Sequence, residues 1–256
     1  EYLPPEVALK KRGGKRSRIV LEEILADWLR TNNDFEVRGQ RHAFSEANVQ
    51  RAVEALSQHP FDALGTTSQE LYDLITLGKS FEETVNGEKR SHTMQFIGWR
   101  NPGNNVYHVT DEFEVERRGS TQMRRPDLVL FVNGIPFAVI ECKRPGMAKA
   151  VEAGISQHLR NHRVDEIPEL YCLSQVLVAA SQNAAKYGTT ATDMEFWAVW
   201  KEEGQSVQDP ELHALVNTPL STVQRERMLS WREPWQQRRM QEIWSAGERF
   251  VTNQDR

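Results

Sequence analysis

The stretch from Arg124 to Lys143, RRPDLVLFVNGIPFAVIECK, constrains this chain more than any other. Two apolar runs flank Asn133-Gly134, the dipeptide that most strongly signals a tight hairpin turn. Charges sit where apolar residues belong: Asp127 opens the first strand, and Glu141 and Lys143 close the second. Burying an unpaired carboxylate or ammonium is costly. A break of this kind in a consistent pattern marks a candidate functional site.

The turn decides whether these charges meet. Side chains alternate faces along a strand, so Glu141 and Lys143 share a face with Val139 and Phe137. A strict two-residue turn pairs Val132 with Ile135 and sends Asp127 to the other face. A three-residue loop with Gly134 left-handed pairs Asp127 with Val139 and brings Asp127, Glu141 and Lys143 together. The expectation is this bulged turn, or a bend at Asp127 with the same result.

Two carboxylates and a lysine so placed suit metal-assisted phosphodiester cleavage. Hard oxygen ligands favour Mg²⁺, which keeps several waters and takes substrate phosphate into its shell. The bland alternative is an ion pair at a strand end, with Asp127 capping a turn.

Around this hairpin, 256 residues with 39% apolar and 27% charged content suffice for a packed domain. No apolar run is long enough to span a membrane. There is no apolar signal region, and Cys142 and Cys172 are too few for a disulfide framework, so the expected location is cytoplasmic. The net charge of −4 does not advertise nucleic-acid binding, but basic residues cluster locally. Lys10–Arg18 and Arg225–Arg239 read as solvated faces or floppy ends. Arg124 and Arg125, beside Asp127, are candidates to hold a DNA backbone.

Residues 1–17 read as an irregular basic lead-in. Apolar residues from Ile19 to Leu29 recur at helical spacing, with Glu22 and Glu23 in the same helix. A strand over 35–44 follows, then helices from Ser45 and through Leu71–Leu77, the latter ended by Gly78. Strands are expected over 94–99 and 106–115, with Asn101-Pro102-Gly103-Asn104 as the turn between them. After the hairpin come a helix over 147–164, a central strand over 171–180 and a short strand over 196–200. Residues 18–205 thus form an α/β domain with a mixed central sheet flanked by helices. Residues 206–256, with Trp231, Trp235 and Trp244, read as a helical extension.

Pro126-Asp127 followed by Glu141-Cys142-Lys143 resembles the signature of PD-(D/E)xK nucleases. The whole run from Arg124 to Pro145 resembles the N-terminal nuclease domain of the restriction subunit of type I restriction-modification enzymes. The segments Asn104–Val109, Ile155–Asn161 and Tyr187–Trp200 continue the likeness, which covers most of residues 18–203.

The resemblance implies a restriction-endonuclease-like core that cuts duplex DNA at positions set by modification and specificity subunits. It makes Asp127 and Glu141 Mg²⁺ ligands and Lys143 the catalytic lysine. Gln157 matches a glutamine that arranges the active site or contacts DNA, with Asn161 where relatives carry tyrosine. Glu22 or Glu23 is a further candidate metal ligand. The family's ATP-driven translocase needs a phosphate loop, and Gly13-Gly14-Lys15-Arg16-Ser17 lacks its spacing. The chain therefore reads as an N-terminal fragment, with ATP used elsewhere. Two other readings are a silent nuclease-fold module for DNA binding or docking, which the intact acid-acid-lysine set argues against, and a stand-alone repair nuclease. His158, His162 and Glu166 have zinc-compatible spacing but lack an HExxH motif and read as a polar helix face.

Overall fold

The computed structural model describes residues 1–144, 147–181, 184–200 and 221–230, together with 232, 234, 237, 238, 240, 241 and 245. By internal contacts the chain divides into Glu1–Lys201 and Glu202–Arg256.

The first unit holds helices α1 (Pro5–Lys11), α2 (Glu22–Asn32), α3 (Glu46–Ser57), α4 (Leu64–Leu77), α5 (Ala150–Asn161) and α6 (Pro168–Leu173). Its larger strands are β3 (Lys79–Val85), β4 (Glu88–Met94), β5 (Tyr107–Asp111), β8 (Leu128–Val132), β9 (Ile135–Cys142), β10 (Val176–Ser181) and β11 (Ala184–Gly188). Shorter ones are β1 (Asp34–Val37), β2 (Gln40–Ala43), β6 (Val115–Glu116), β7 (Met123–Arg124) and β12 (Ala198–Val199).

The architecture is α/β, as expected. A mixed six-stranded sheet runs β12-β11-β10-β9-β8-β5, with β9 and β10 parallel and the other neighbours antiparallel. The parallel pair needs a crossover, supplied by α5 and α6. Val129, Val139, Leu177 and Ala179 are fully buried on one sheet face. There α5 seats closely, because a Cβ on Gly154 would lie only 2.9 Å from Ala179 Cβ.

Residues 1–17 are not an irregular lead-in. Val109 N–H donates to Glu1 O at 2.9 Å and Leu3 N–H to Val109 O at 2.8 Å, so the terminus lines the β5 edge before α1 forms. Arg12 is 2% exposed. It donates to Arg18 O at 2.8 Å and Glu114 O at 2.6 Å and lies 4.2 Å over the Phe113 ring. Lys11 pairs with Glu23, and Arg16 with Glu114. This basic cluster is a clamp, not a floppy end, because carbonyls take both terminal nitrogens of its buried guanidinium and an aromatic face covers the plane.

Three further expectations change. The strand over 94–99 does not form. β4 ends at Met94, and side-chain amides replace sheet partners beyond it. Asn33 bonds both Gln95 N (2.7 Å) and Gln95 O (3.0 Å). Second, the apolar run over 171–180 splits into α6 and β10, since a buried helix and a buried strand look alike in such a run. Third, the single strand expected over 35–44 folds as the β1–β2 hairpin, turned at Arg38 and Gly39, both left-handed.

In the second unit, helix α7 (Thr222–Leu229) opens with a capping box between Ser221 and Gln224. Trp231, Trp235 and Trp244 lie outside the described residues. No helix among the described residues is long and apolar enough to cross a membrane.

Candidate active site

The β8–β9 turn is the strict two-residue form, not the three-residue loop. Val132 pairs with Ile135, and both Asn133 (φ 53°) and Gly134 (φ 82°) are left-handed. Only glycine fits at 134, since a Cβ there would lie 2.6 Å from Leu21 O. The bulge sits further along. Phe131 pairs with Pro136 but Leu130 with Ala138, leaving Phe137 extra on β9. Its carbonyl accepts from Gln175 N–H at 2.8 Å. Pro136 lacks an amide hydrogen, and proline within a strand marks such a bulge.

This displaced bulge restores the face that the turn would have lost. Leu128 pairs with Ile140, so one further step sets Asp127 opposite Glu141. Lys143 Nζ lies 3.3 Å from Glu141 Oε2 and 3.9 Å from Asp127 Oδ2. It donates to Gln157 Oε1 at 2.8 Å. Asp127 Oδ2 also accepts from Cys142 N–H at 2.7 Å, which fixes the carboxylate across the strand ends. Asp127, Glu141, Lys143 and Gln157 therefore form one cluster.

Glu141 carries the electrostatic strain. It is 0% exposed, and its Oε1 is buried without a hydrogen-bond partner. Burial, and then the neighbouring Asp127 carboxylate, push its pKa up to about 7. Lys143 offsets this only in part. A carboxylate with one orphaned oxygen, set beside a second carboxylate, is a cluster short of positive charge. A hard divalent cation fits that donor set.

Behind the cluster, α5 is pinned by a buried polar network. His158 Nε2 lies 3.0 Å from Val178 O, and its Nδ1 lies 3.3 Å from Tyr171 Oη. With Nε2–H donating to the carbonyl, Nδ1 is free to accept from the tyrosine. Burial depresses His158 to about 4, which keeps this neutral tautomer. Asn161 Nδ2 donates to Tyr171 Oη at 3.2 Å. This anchoring holds Gln157 within reach of Lys143. His158 is thus engaged in the core rather than poised as a zinc ligand.

Other predicted residues stand elsewhere. The start of α2 abuts the Asn133-Gly134 turn, where Leu21 N–H donates to Gly134 O at 2.8 Å. That is the opposite end of the hairpin from Asp127 and Glu141. Glu22 pairs with Arg18 and Glu23 with Lys11. Among the described residues no group of three or more acidic, histidine or cysteine side chains could hold a metal, so neither glutamate joins the cluster. Arg124 is committed to Glu166, donating to its two oxygens at 2.5 and 2.7 Å, and Arg117 approaches the same carboxylate at 3.2 Å. Arg125 is exposed and has no partner among the described residues. Only Arg125 of the two is therefore available to an outside phosphate. No local pattern revealed Glu166 as the partner of Arg124, because the two are joined only by the fold.

Residues 1–196 match a family described as type I restriction enzyme R protein N terminus. The chain is 33% identical over 150 residues to the type I restriction enzyme MjaIXP endonuclease subunit of Methanocaldococcus jannaschii, covering 57% of this chain and 14% of that protein. It is 28% identical over 187 residues to the type I restriction enzyme HindI endonuclease subunit of Haemophilus influenzae, covering 71% of this chain and 18% of that protein. The chain thus spans less than a fifth of the length of these relatives.

Proposed function

Since the chain belongs to the family of type I restriction enzyme R protein N termini, we propose that its cluster is a Mg²⁺-dependent endonuclease centre with a PD-(D/E)xK core. The observation that carries this is the convergence of Asp127, Glu141 and Lys143, with a buried Glu141 oxygen left unpartnered. Asp127 and Glu141 hold the ion. Bound Mg²⁺ polarises a phosphoryl oxygen and makes its bound water more acidic. Lys143, steadied by Gln157, presents its ammonium to the charge that develops at phosphorus. Arg125 grips a flanking phosphate, which positions the duplex without reading sequence.

Cutting positions are set by modification and specificity subunits, and ATP is used by a translocase outside this chain. Residues 18–205 form the nuclease unit, and 206–256 lead toward the translocase.

Mn²⁺ counted by electron paramagnetic resonance tests the centre. Wild type should bind one more ion than Asp127→Ala at sub-millimolar Mn²⁺. Equal binding by the two proteins would place the metal elsewhere.

A further inference from the structure

The loop at the far end of the β8–β9 hairpin from the cluster is held by more polar machinery than a connection needs. Asn133 is fully buried. Its Nδ2 donates to Phe96 O (3.0 Å) and Asn105 Oδ1 (2.9 Å), while its Oδ1 accepts from Val106 N–H (2.9 Å). Asn105 Oδ1 accepts from Gly98 N–H at 2.8 Å, and Asn105 Nδ2 donates to Pro102 O at 3.1 Å. A satisfied buried network fixes one conformation. Here it fixes the irregular segment 95–105, and irregular loops held on rigid scaffolds are where binding residues concentrate.

What that segment displays is specific. Trp99 Nε1–H donates to Ile75 O at 3.1 Å, so the ring is oriented, yet the residue is 48% exposed. Trp28 Nε1–H is likewise tied to Asn104 O at 2.9 Å. Beside the two indoles lies a cleft of about 480 Å³, lined also by Gln95, Arg100, Asn101 and Asn104. A second hollow of about 280 Å³ shares Trp28, Asn32 and Asn104 with it and lengthens the groove along α2. The Asn101 and Asn104 side chains make no hydrogen bond within the described structure, and Arg100 is exposed without a partner there.

We propose that this groove binds an unpaired nucleotide, with its base against Trp99, its polar edge on Asn101 and Asn104, and its phosphate on Arg100. A pre-oriented indole face takes any base by stacking. Amides offering both donor and acceptor match a base edge no longer paired in a duplex. A guanidinium on the adjacent residue supplies the anion contact. The site does not depend on the nuclease reading. It lies beyond the Asn133-Gly134 turn, on the order of 20 Å along the strands from Glu141.

A 12-nucleotide single strand carrying 5-iodouracil, irradiated with the full-length protein and mapped by mass spectrometry, tests this. Adducts should fall within residues 99–104. Trp99→Ala should lower their yield about tenfold or more, and Trp99→Phe should keep most of it. Arg100→Ala, which removes an exposed side chain with no partner among the described residues, should weaken binding and reduce the salt dependence by about 0.7 in the log–log slope. Lys143→Ala should crosslink like wild type, which separates this site from the cutting centre. Competition by deoxynucleoside monophosphates as effective as by oligonucleotide would identify a free nucleotide as the ligand; competition by the oligonucleotide alone, a DNA strand. Adducts absent from this segment overturn the proposal. So does undiminished crosslinking by Trp99→Ala, including the case where that variant instead loses a protein subunit.

Discussion

Glu141→Gln should yield a metal-free protein more stable than wild type and an enzyme that no longer cuts. The fold holds the Glu141 carboxyl at a pKa of about 7, against an ordinary value of 4.5. A folded-state pKa raised above the unfolded value means that folding takes up a proton between these limits. Stability therefore falls as pH rises through about 4.5–7 and levels off above 7. The shift corresponds to about 3 kcal/mol of destabilisation at pH 8 without metal. Glutamine keeps the shape and removes the charge, so denaturation in EDTA at pH 8 should show a gain of about 2–3 kcal/mol, or roughly 5–10 °C in Tm. The same comparison at pH 5 should show little difference. Cutting by the complete enzyme should drop by a factor of about 10³, because a neutral amide is a poor ligand for Mg²⁺. An equal or lower stability for Glu141→Gln at pH 8 would mean that the buried charge is not a burden on the fold.

The opposite outcome is expected at Glu166. Its side chain is 6% exposed and takes both nitrogens of the Arg124 fork, with Arg117 alongside. Removing one partner of a buried pair strands the other charge, which costs about 3–5 kcal/mol. Arg124 and Arg117 retain some contact with water, so the loss for Glu166→Ala belongs near the lower end, about 3 kcal/mol. Arg124 lies on β7, and the chain passes from it to Asp127 within a few residues. Loosening that strand should also disturb the Asp127 carboxylate and slow cutting. Urea denaturation reads the first effect. A change under 1 kcal/mol would show that the fork is a surface feature, worth no more than an exposed ion pair.

Much of this arrangement was legible in the sequence, and the failures have physical causes. The apolar hairpin and the acid-acid-lysine set follow from two apolar runs flanking Asn133-Gly134 and broken by charge. The turn is ambiguous in the sequence because three-residue and two-residue loops both accommodate Asn-Gly. Pro136, which has no ladder donor, was the available sign that the bulge lay inside β9. The β3–β4 hairpin carries its own signal in Asn86-Gly87, both left-handed, but Phe81, Val85 and Met94 are scattered among charged and hydroxyl side chains, so no apolar run frames the turn. Arg12 looked like part of a solvated run, since nothing local reveals that Phe113 and the Glu114 carbonyl await it. Glu22 and Glu23 shared a helix of the expected kind, yet only the docking of Leu21 on Gly134 fixes where that helix starts. The pairing of Arg124 with Glu166 and of Gln157 with Lys143 depends on tertiary packing, which no spacing rule encodes.

The most direct test is cutting by the complete enzyme on a circular duplex bearing its recognition sequence, with wild type set against Lys143→Ala. Lys143 is partly exposed and its loss opens no apolar core contact, while Glu141, already raised to about 7, takes up a proton rather than standing charged beside Asp127. The predicted result is a drop in double-strand cleavage of at least about 10²–10³-fold, with an unchanged circular-dichroism spectrum. Cleavage by Lys143→Ala at the wild-type rate would contradict the assignment of this cluster as the cutting centre.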